Sequence, residues 1–489
     1  MRRQLITRLA AAGALLLAGL TAGSVPAFAG TSAPAFKIAW TPCEGAPTVQ
    51  CGTLQVPLDW SKPNGQRVPV AVARHPAENP AARIGTLFFN PGGPGDGAAR
   101  YIVGAENYFS STLRARFDLV AMDPRGMGNS VQVHCGMDFF TPDWTLFPRS
   151  EEQFQRMVRH NREFGESCLQ QTGALMRNID TRTVARDHEA LRIALGVDKV
   201  NWLGVSYGAQ LAANYANEFP RHTRAMVIDA ALDHGQAETA QATDEIMSVE
   251  DGFNRFARWC DTAPDCALRG QDVAALFDAL VARADANPIP VEGSLRPVTG
   301  EDVRMGTKSL LALKDPAVIA PGVSWAILSQ ALAAAVAGDA SVFMLFPAGV
   351  PSSGLGAISA NACTDYVPQV ETWAEMQQRM RLGRQLAPHM QGASDTWRVL
   401  GCIGWPVKAT NPPHALDVRG VPTLLVHAVH DPQDPYRWTH NLAAQIHGSD
   451  LLTRTGDGHT SYFNSPCSRA ATDGYLVRPQ APADRVCDE

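Results

Sequence analysis

A mostly parallel α/β sheet with flanking helices and an inserted, mainly helical segment is the fold class this sequence predicts. Three observations carry the expectation. Apolar, strand-like runs alternate with helix-spaced runs from residue 85 to residue 232. The same alternation returns after residue 405. Between these regions, residues 233–404 are rich in helix formers, as in "QDVAALFDALVARADA" and "SWAILSQALAAAVAG". The implied organisation is a leader at 1–29, a first part of the core at 30–232, a helical cap at 233–404 and a last part of the core at 405–489.

The elements follow in chain order. "MRRQLITR" is basic, "LAAAGALLLAGLTAG" is apolar, and "VPAFAG" offers small residues at Ala27 and Ala29. That three-part pattern predicts a secretory leader cleaved after Ala29. The apolar run is short for a membrane anchor and ends in a cleavage-like site, which favours export. "RRQLI" also resembles a twin-arginine signal, so the export route stays open. No later segment is apolar enough to span a bilayer.

"GTLFFNPGGPGDG" is a buried-type strand running into a glycine-rich loop, and "RFDLVAMDPRGMGNS" a second strand ending in a turn. "TRTVARDHEALRIALGV" has apolar spacing near three and four and predicts a helix. "KVNWLGVSYG" is a strand entering a tight turn. "AQLAANYANEFP" is a helix closed by Pro220, and "TRAMVIDAAL" is another strand. Downstream, "VPTLLVHAVHD" and "LLTRTGDGH" restore the strand pattern.

Composition bounds the partners. The chain has 489 residues, more than one ordinary core holds, with 45% hydrophobic and 18% charged residues. A net charge of −6 without a long basic run argues against nucleic acid. Ten cysteines, an even number, agree with export and predict disulfides. Cys43–Cys51 and Cys260–Cys266 are close enough to pair locally. Cys135–Cys168, Cys363–Cys402 and Cys467–Cys487 follow if neighbours pair in order, a connectivity that sequence leaves open. Zinc is the competing use of cysteine, but no CxxC or clustered Cys/His spacing supports it. No metal or other cofactor is implied.

The chemistry is concentrated in four loops. "G-V-S-Y-G" fits G-x-S-x-G with a strand before it and a helix after it. Gly204 and Gly208 let strand and helix approach, which holds Ser206 in a sharp turn with its hydroxyl projecting. The bland alternative is a serine that only caps a helix. A nucleophilic serine needs a base, and the base needs an acid to orient it. On such a sheet they follow in the order acid, then histidine. "HDPQDP" offers Asp431 and Asp434, and "GDGHTSY" offers His459, both at carboxyl ends of strands. His427 and His430 precede the acid and are weaker candidates. In "FFNPGGPGDG" the glycines allow backbone N–H groups to face a developing oxyanion. Gly93 is the expected donor there, paired with the N–H of Tyr207. A phosphate loop would require a following Gly-Lys-Ser/Thr, which is missing.

Taken together, "NPGGPG", "DPRGMGNS", "GVSYG", "HDPQDP" and "GDGHTSY" occur in the order seen in secreted actinobacterial tripeptidyl aminopeptidases, which the chain resembles over nearly its whole mature length. These are α/β-hydrolases related to prolyl aminopeptidases, whose corresponding loop reads HGGPG. "CGTLQVPLDWSKP" and "GCIGWP" also look like that group. The resemblance implies the α/β-hydrolase fold and serine-hydrolase chemistry. In the family pattern D-P-x-T-P the first Asp is the catalytic acid, which points to Asp431. Here Asp434 stands where the family usually has threonine.

The resemblance implies an exopeptidase that releases short peptides from free amino termini. Because the family also holds esterases and enzymes acting on amide-containing natural products, an esterase or amidase on small acyl compounds is the alternative. A catalytically silent secreted binding protein is a third reading, opposed by the intact Ser, Asp, His and glycine loop. An aminopeptidase must meet a charged amino terminus with carboxylates. Asp365, next to Cys363, is the first candidate, with a structural role such as capping equally open. Asp244, Glu245, Glu250 and Asp251 are further candidates, although a charge-rich helix is usually just a solvated face. Trp325, Trp373 and Trp405 suit a pocket wall or a core.

Overall fold

Ten strands form one sheet in the order β1-β2-β3-β5-β4-β6-β7-β8-β9-β10. They are β1 (Thr41–Cys43), β2 (Ala46–Pro57), β3 (Arg67–His75), β4 (Gly85–Asn90), β5 (Phe117–Met122), β6 (Val200–Val205), β7 (Thr223–Asp229), β8 (Thr423–His430), β9 (Asp450–Asp457) and β10 (Val486–Cys487). The computed structural model describes residues 36–95, 97–294, 296–344, 352–394 and 397–488. The leader expected at 1–29 lies outside them.

From β5 to β10 every pairing is parallel. The first three strands are an addition the sequence reading lacked. They pair antiparallel with one another and with β5, so the sheet is mixed at one edge. Strand period explains how the sheet buries both faces. Phe88 packs with Trp202 and Tyr215 on one side, while its neighbour Phe89 packs with Leu203 and Val205 on the other.

The chain passes from β4 to β5 on one side of the sheet and then returns to β6 on the other. The loops after β4 and β6 therefore meet at a switch point, where α/β sheets open a crevice at strand carboxyl ends. Between β7 and β8 the described elements are helices, including Glu238–Thr262, Val273–Ala286, Gly300–Leu310, Trp325–Ala337, Ser352–Asp365 and Trp373–Leu386. They enclose an apolar core of their own around Phe253, Phe256, Phe277 and Trp325. Insertion and sheet nevertheless belong to one compact unit. Among the described residues no helix is long and apolar enough to cross a membrane.

All ten cysteines are paired, as Cys43–Cys51, Cys135–Cys168, Cys260–Cys266, Cys363–Cys402 and Cys467–Cys487. No group of residues able to hold a metal ion occurs among the described residues.

Candidate active site

Ser206 follows the last residue of β6 and precedes the helix Tyr207–Glu218. Its φ is +56° and its ψ −124°, a conformation that strains a residue with a Cβ. The surrounding glycines make this turn possible. A Cβ on Gly204 would lie 2.3 Å from the Gly208 carbonyl oxygen, and one on Gly208 would lie 2.2 Å from that of Asn90. Gly92, in the loop after β4, sits against the serine itself: a Cβ there would lie 2.7 Å from Ser206 Cβ and 3.2 Å from its Oγ. Gly93 is exposed beside it with φ +105°. Tyr207 opens the helix, so its N–H has no intrahelical acceptor.

The acid and the histidine come together at the ends of β8 and β9. His459 Nδ1 donates to Asp431 Oδ2 at 2.9 Å and approaches Oδ1 at 3.2 Å. Asp434 lies 3.9 Å from the same nitrogen. Asp431 also accepts from the N–H groups of Gln433 and Asp434, and His427 Nε2 stands 3.6 Å away. Burial alone would raise the Asp431 pKa; His459 outweighs it and holds the carboxyl below its usual range. For His459, burial pulls downward, and the Asp431 carboxylate overcomes it and pushes the imidazole well above its ordinary value. Nδ1 is therefore occupied by the acid, and Nε2 is the nitrogen left to exchange a proton.

One residue that the sequence reading missed joins the two halves. Asp229 ends β7 and is completely buried. Its backbone carbonyl accepts from Ser206 N at 2.9 Å. Its carboxylate accepts from Ser461 N and Tyr462 N at 2.7–2.8 Å. The histidine loop is thus drawn back across the sheet toward the serine turn. Arg454 clamps the same loop by donating to the carbonyls of Asp457, Gly458 and Thr460. The only sequence signal for Asp229 is an acid closing an otherwise apolar strand.

The insertion packs over these loops. Ala312 O accepts from His459 N at 2.6 Å, and Lys308 donates to Gln433 at 2.7 Å. Asp251 pairs with His430 at 2.8 Å, and a Cβ on Gly252 would touch Pro432. Ile358 lies against Gly95, and Asn361 donates to the Tyr207 hydroxyl at 3.2 Å. Under this cover, a cavity beside the serine turn is lined by Pro94, Tyr207, Gln210, Leu232, Glu245 and Tyr366.

The expectation that Asp365 faces a substrate is corrected. Its carboxylate is fully buried and does not line the cavity. It accepts from Thr181 N, Thr181 Oγ1 and Asn411 Nδ2. Thr181 in turn lies 3.0 Å from the Tyr207 hydroxyl, so Asp365 supports the serine turn from behind. Burial, with Asp180 nearby, pushes its pKa up to about 8.

Of the other acids, Asp244 is taken by Arg437 and Trp438, and Glu250 accepts from the His389 and Met390 backbones. Glu245 alone of that group lines the cavity. The tryptophans are structural rather than cavity-lining at this site. Trp325 is buried against Phe256 and Trp259, and Trp405 packs on Phe164. Trp373 lies near Phe154.

The chain is similar to known proteins over most of its length. A family model described as "alpha/beta hydrolase fold" matches residues 85–332, and one described as "TAP-like protein" matches residues 388–487. The chain is 31% identical to the serine protease Hip1 of Mycobacterium tuberculosis over 472 residues, covering 91% of this chain and 89% of that protein. It is 30% identical to the tripeptidyl aminopeptidase of Streptomyces lividans over 465 residues, covering 90% and 83%. Carboxylesterase B of Mycobacterium tuberculosis is 30% identical over 464 residues, covering 89% and 85%.

Proposed function

The chain belongs to the alpha/beta-hydrolase family of enzymes, and from that premise we propose that it is an exported serine exopeptidase that releases short peptides from free amino termini. The observation that carries this reading is the tie from Ser206, through Asp229, to the loop bearing a histidine hydrogen-bonded to Asp431. Ser206 Oγ adds to the substrate carbonyl carbon while His459 Nε2 takes its proton. Asp431 fixes the tautomer and stabilises the imidazolium. The N–H groups of Gly93 and Tyr207 receive the oxyanion. Collapse of the tetrahedral species expels the amine, which takes the proton from His459. Water, activated by the same histidine, then hydrolyses the acyl-Ser206 ester.

The helical insertion acts as the cap in this account, restricting entry to chain ends and excluding water. Glu245 takes over the role first expected of Asp365. It is 7% exposed and lines the cavity with Tyr207. Glu238, also at that cavity, is committed to Arg379 through two hydrogen bonds. Five disulfides support export.

Parallel kinetics on a free-amine tripeptide anilide, its acetylated form and a neutral ester test the reading. Hydrolysis of the free-amine substrate should dominate. Glu245→Gln should raise KM for that substrate and spare the ester. Strong activity confined to blocked or neutral substrates would transfer the assignment to an esterase or amidase, which uses the same catalytic groups.

A further inference from the structure

A second cavity of about 620 Å³ shares no lining residue with the one beside Tyr207. Its walls come from the loop that follows β5, from the helices Glu151–Thr172, Val273–Ala286, Gly300–Leu310 and Trp373–Leu386, and from Arg296, Thr299 and Gln391 outside them. Six arginines line it: Arg149, Arg156, Arg296, Arg304, Arg381 and Arg384. Among the described residues three carboxylates share the wall, Asp143, Asp285 and Glu301. In a chain of net charge −6, that local excess of cations is unexpected.

The charges are not all internally satisfied. Arg296 is fully committed to Asp302 through two hydrogen bonds. Glu301 is likewise committed to Thr145 and the Leu146 N–H. Arg149 pairs with Asp285 at 2.8 Å. Arg304 is different. It is 4% exposed, and among the described residues its Nε and Nη1 have no hydrogen-bond partner. Its contact with Asp285 is ionic at 3.6 Å, and its guanidinium lies over the Phe147 ring at 5.5 Å. Arg381 and Arg384 are exposed and three residues apart on one helix, which places them on one face. Neither forms an ion pair among the described residues.

Buried N–H groups are ordinarily hydrogen-bonded, so a buried guanidinium with unmatched donors in a cavity wall suits an oxyanion acceptor. The fork of an arginine matches the two oxygens of a carboxylate or phosphate. The volume lies in the range of small-molecule sites, and Trp144, Phe147 and Trp373 add apolar wall. We propose that this cavity is an accessory binding site for a small molecule bearing a carboxylate or phosphate oxyanion, held by Arg304 at its base and by Arg381 and Arg384 at its rim.

Isothermal titration of the full mature protein at low ionic strength tests this, with citrate and inorganic pyrophosphate as probes and glucose as the neutral control. The account expects one of the two anions to bind once per chain, more weakly as salt rises, with glucose silent. The anion that binds identifies the carboxylate or the phosphate as the source. Arg381→Gln with Arg384→Gln, both exposed positions, should fold normally and weaken binding about tenfold or more. The same pair should leave hydrolysis of a neutral ester unchanged. Arg304→Gln should weaken binding further. No saturable binding of either anion in the millimolar range, or equal binding by the double variant, would overturn the proposal.

Discussion

The side chains at the proposed reaction centre differ in how strictly their surroundings constrain them. Ser206 holds a backbone conformation that costs on the order of 1–3 kcal/mol for a non-glycine residue, and the glycine contacts around it over-determine that turn. Asp431 accepts from His459, Gln433 and Asp434 at once, whereas Asp434 stands 3.9 Å from His459. Asp431→Asn should therefore lower kcat by roughly 10⁴ through loss of the correct tautomer. Asp434→Asn should cost less than about tenfold. Steady-state kinetics of the two variants decide between the acids, and the reverse order would give the role to Asp434. A pH profile tests the same pair. An imidazole acts as a base only when neutral, and Asp431 raises the pKa of His459 against the pull of burial. The rising limb of kcat/KM should accordingly have its midpoint above the ordinary imidazole value of about 6.5. A midpoint below that value would contradict the pairing.

At the scale of elements, what was legible in the sequence is what local backbone chemistry writes. The serine turn needs small residues two before and two after the serine, and the histidine loop needs Gly458 at φ +99° where it passes under Ala312. Both are visible in a short window. Asp229 and Asp365 act through partners 232 and 184 residues away, and no window contains those contacts. The reading of Asp365 failed for that reason: a nearby disulfide held it rigid, but facing inward. The three antiparallel strands at the sheet edge went unread for the same reason, since their pairing partners define them. Asp365→Asn is a direct check on the corrected role. Turnover and KM for free-amine peptides should stay within about twofold of the native enzyme, because the carboxyl faces the core. The raised pKa has a further consequence for stability. The native state keeps the Asp365 proton up to about pH 8, while the unfolded chain releases it near the ordinary carboxyl value of 3.8. Native stability from this group therefore falls as pH rises between those values. Asparagine carries no such proton, so the melting temperature of the variant should decline less than that of the native protein from pH 5 to pH 8. A parallel decline in both would contradict the inward-facing assignment.

For the whole molecule, the sheet supplies positions and long-range polar ties fix how the loops sit on them. Arg125, from the "DPRGMGNS" turn, is fully buried and donates to Asp187 through two nitrogens and to the carbonyls of Pro57, Leu58 and Asn178. It therefore fastens the antiparallel edge to the helix Thr181–Leu195. Arg125→Met would strand Asp187 without its cation and should lower stability by about 3–5 kcal/mol, read as a lower urea midpoint with disulfides intact. A change smaller than about 1 kcal/mol would contradict this account of the turn. The central claim, that Ser206 is the nucleophile of this hydrolase, is tested most directly by treating the native protein with a fluorophosphonate and locating the adduct by peptide mass spectrometry. The account predicts a single adduct on Ser206, absent from Ser206→Ala, with turnover in that variant reduced by a factor on the order of 10⁶. An adduct on another residue, or near-native turnover in Ser206→Ala, would contradict it.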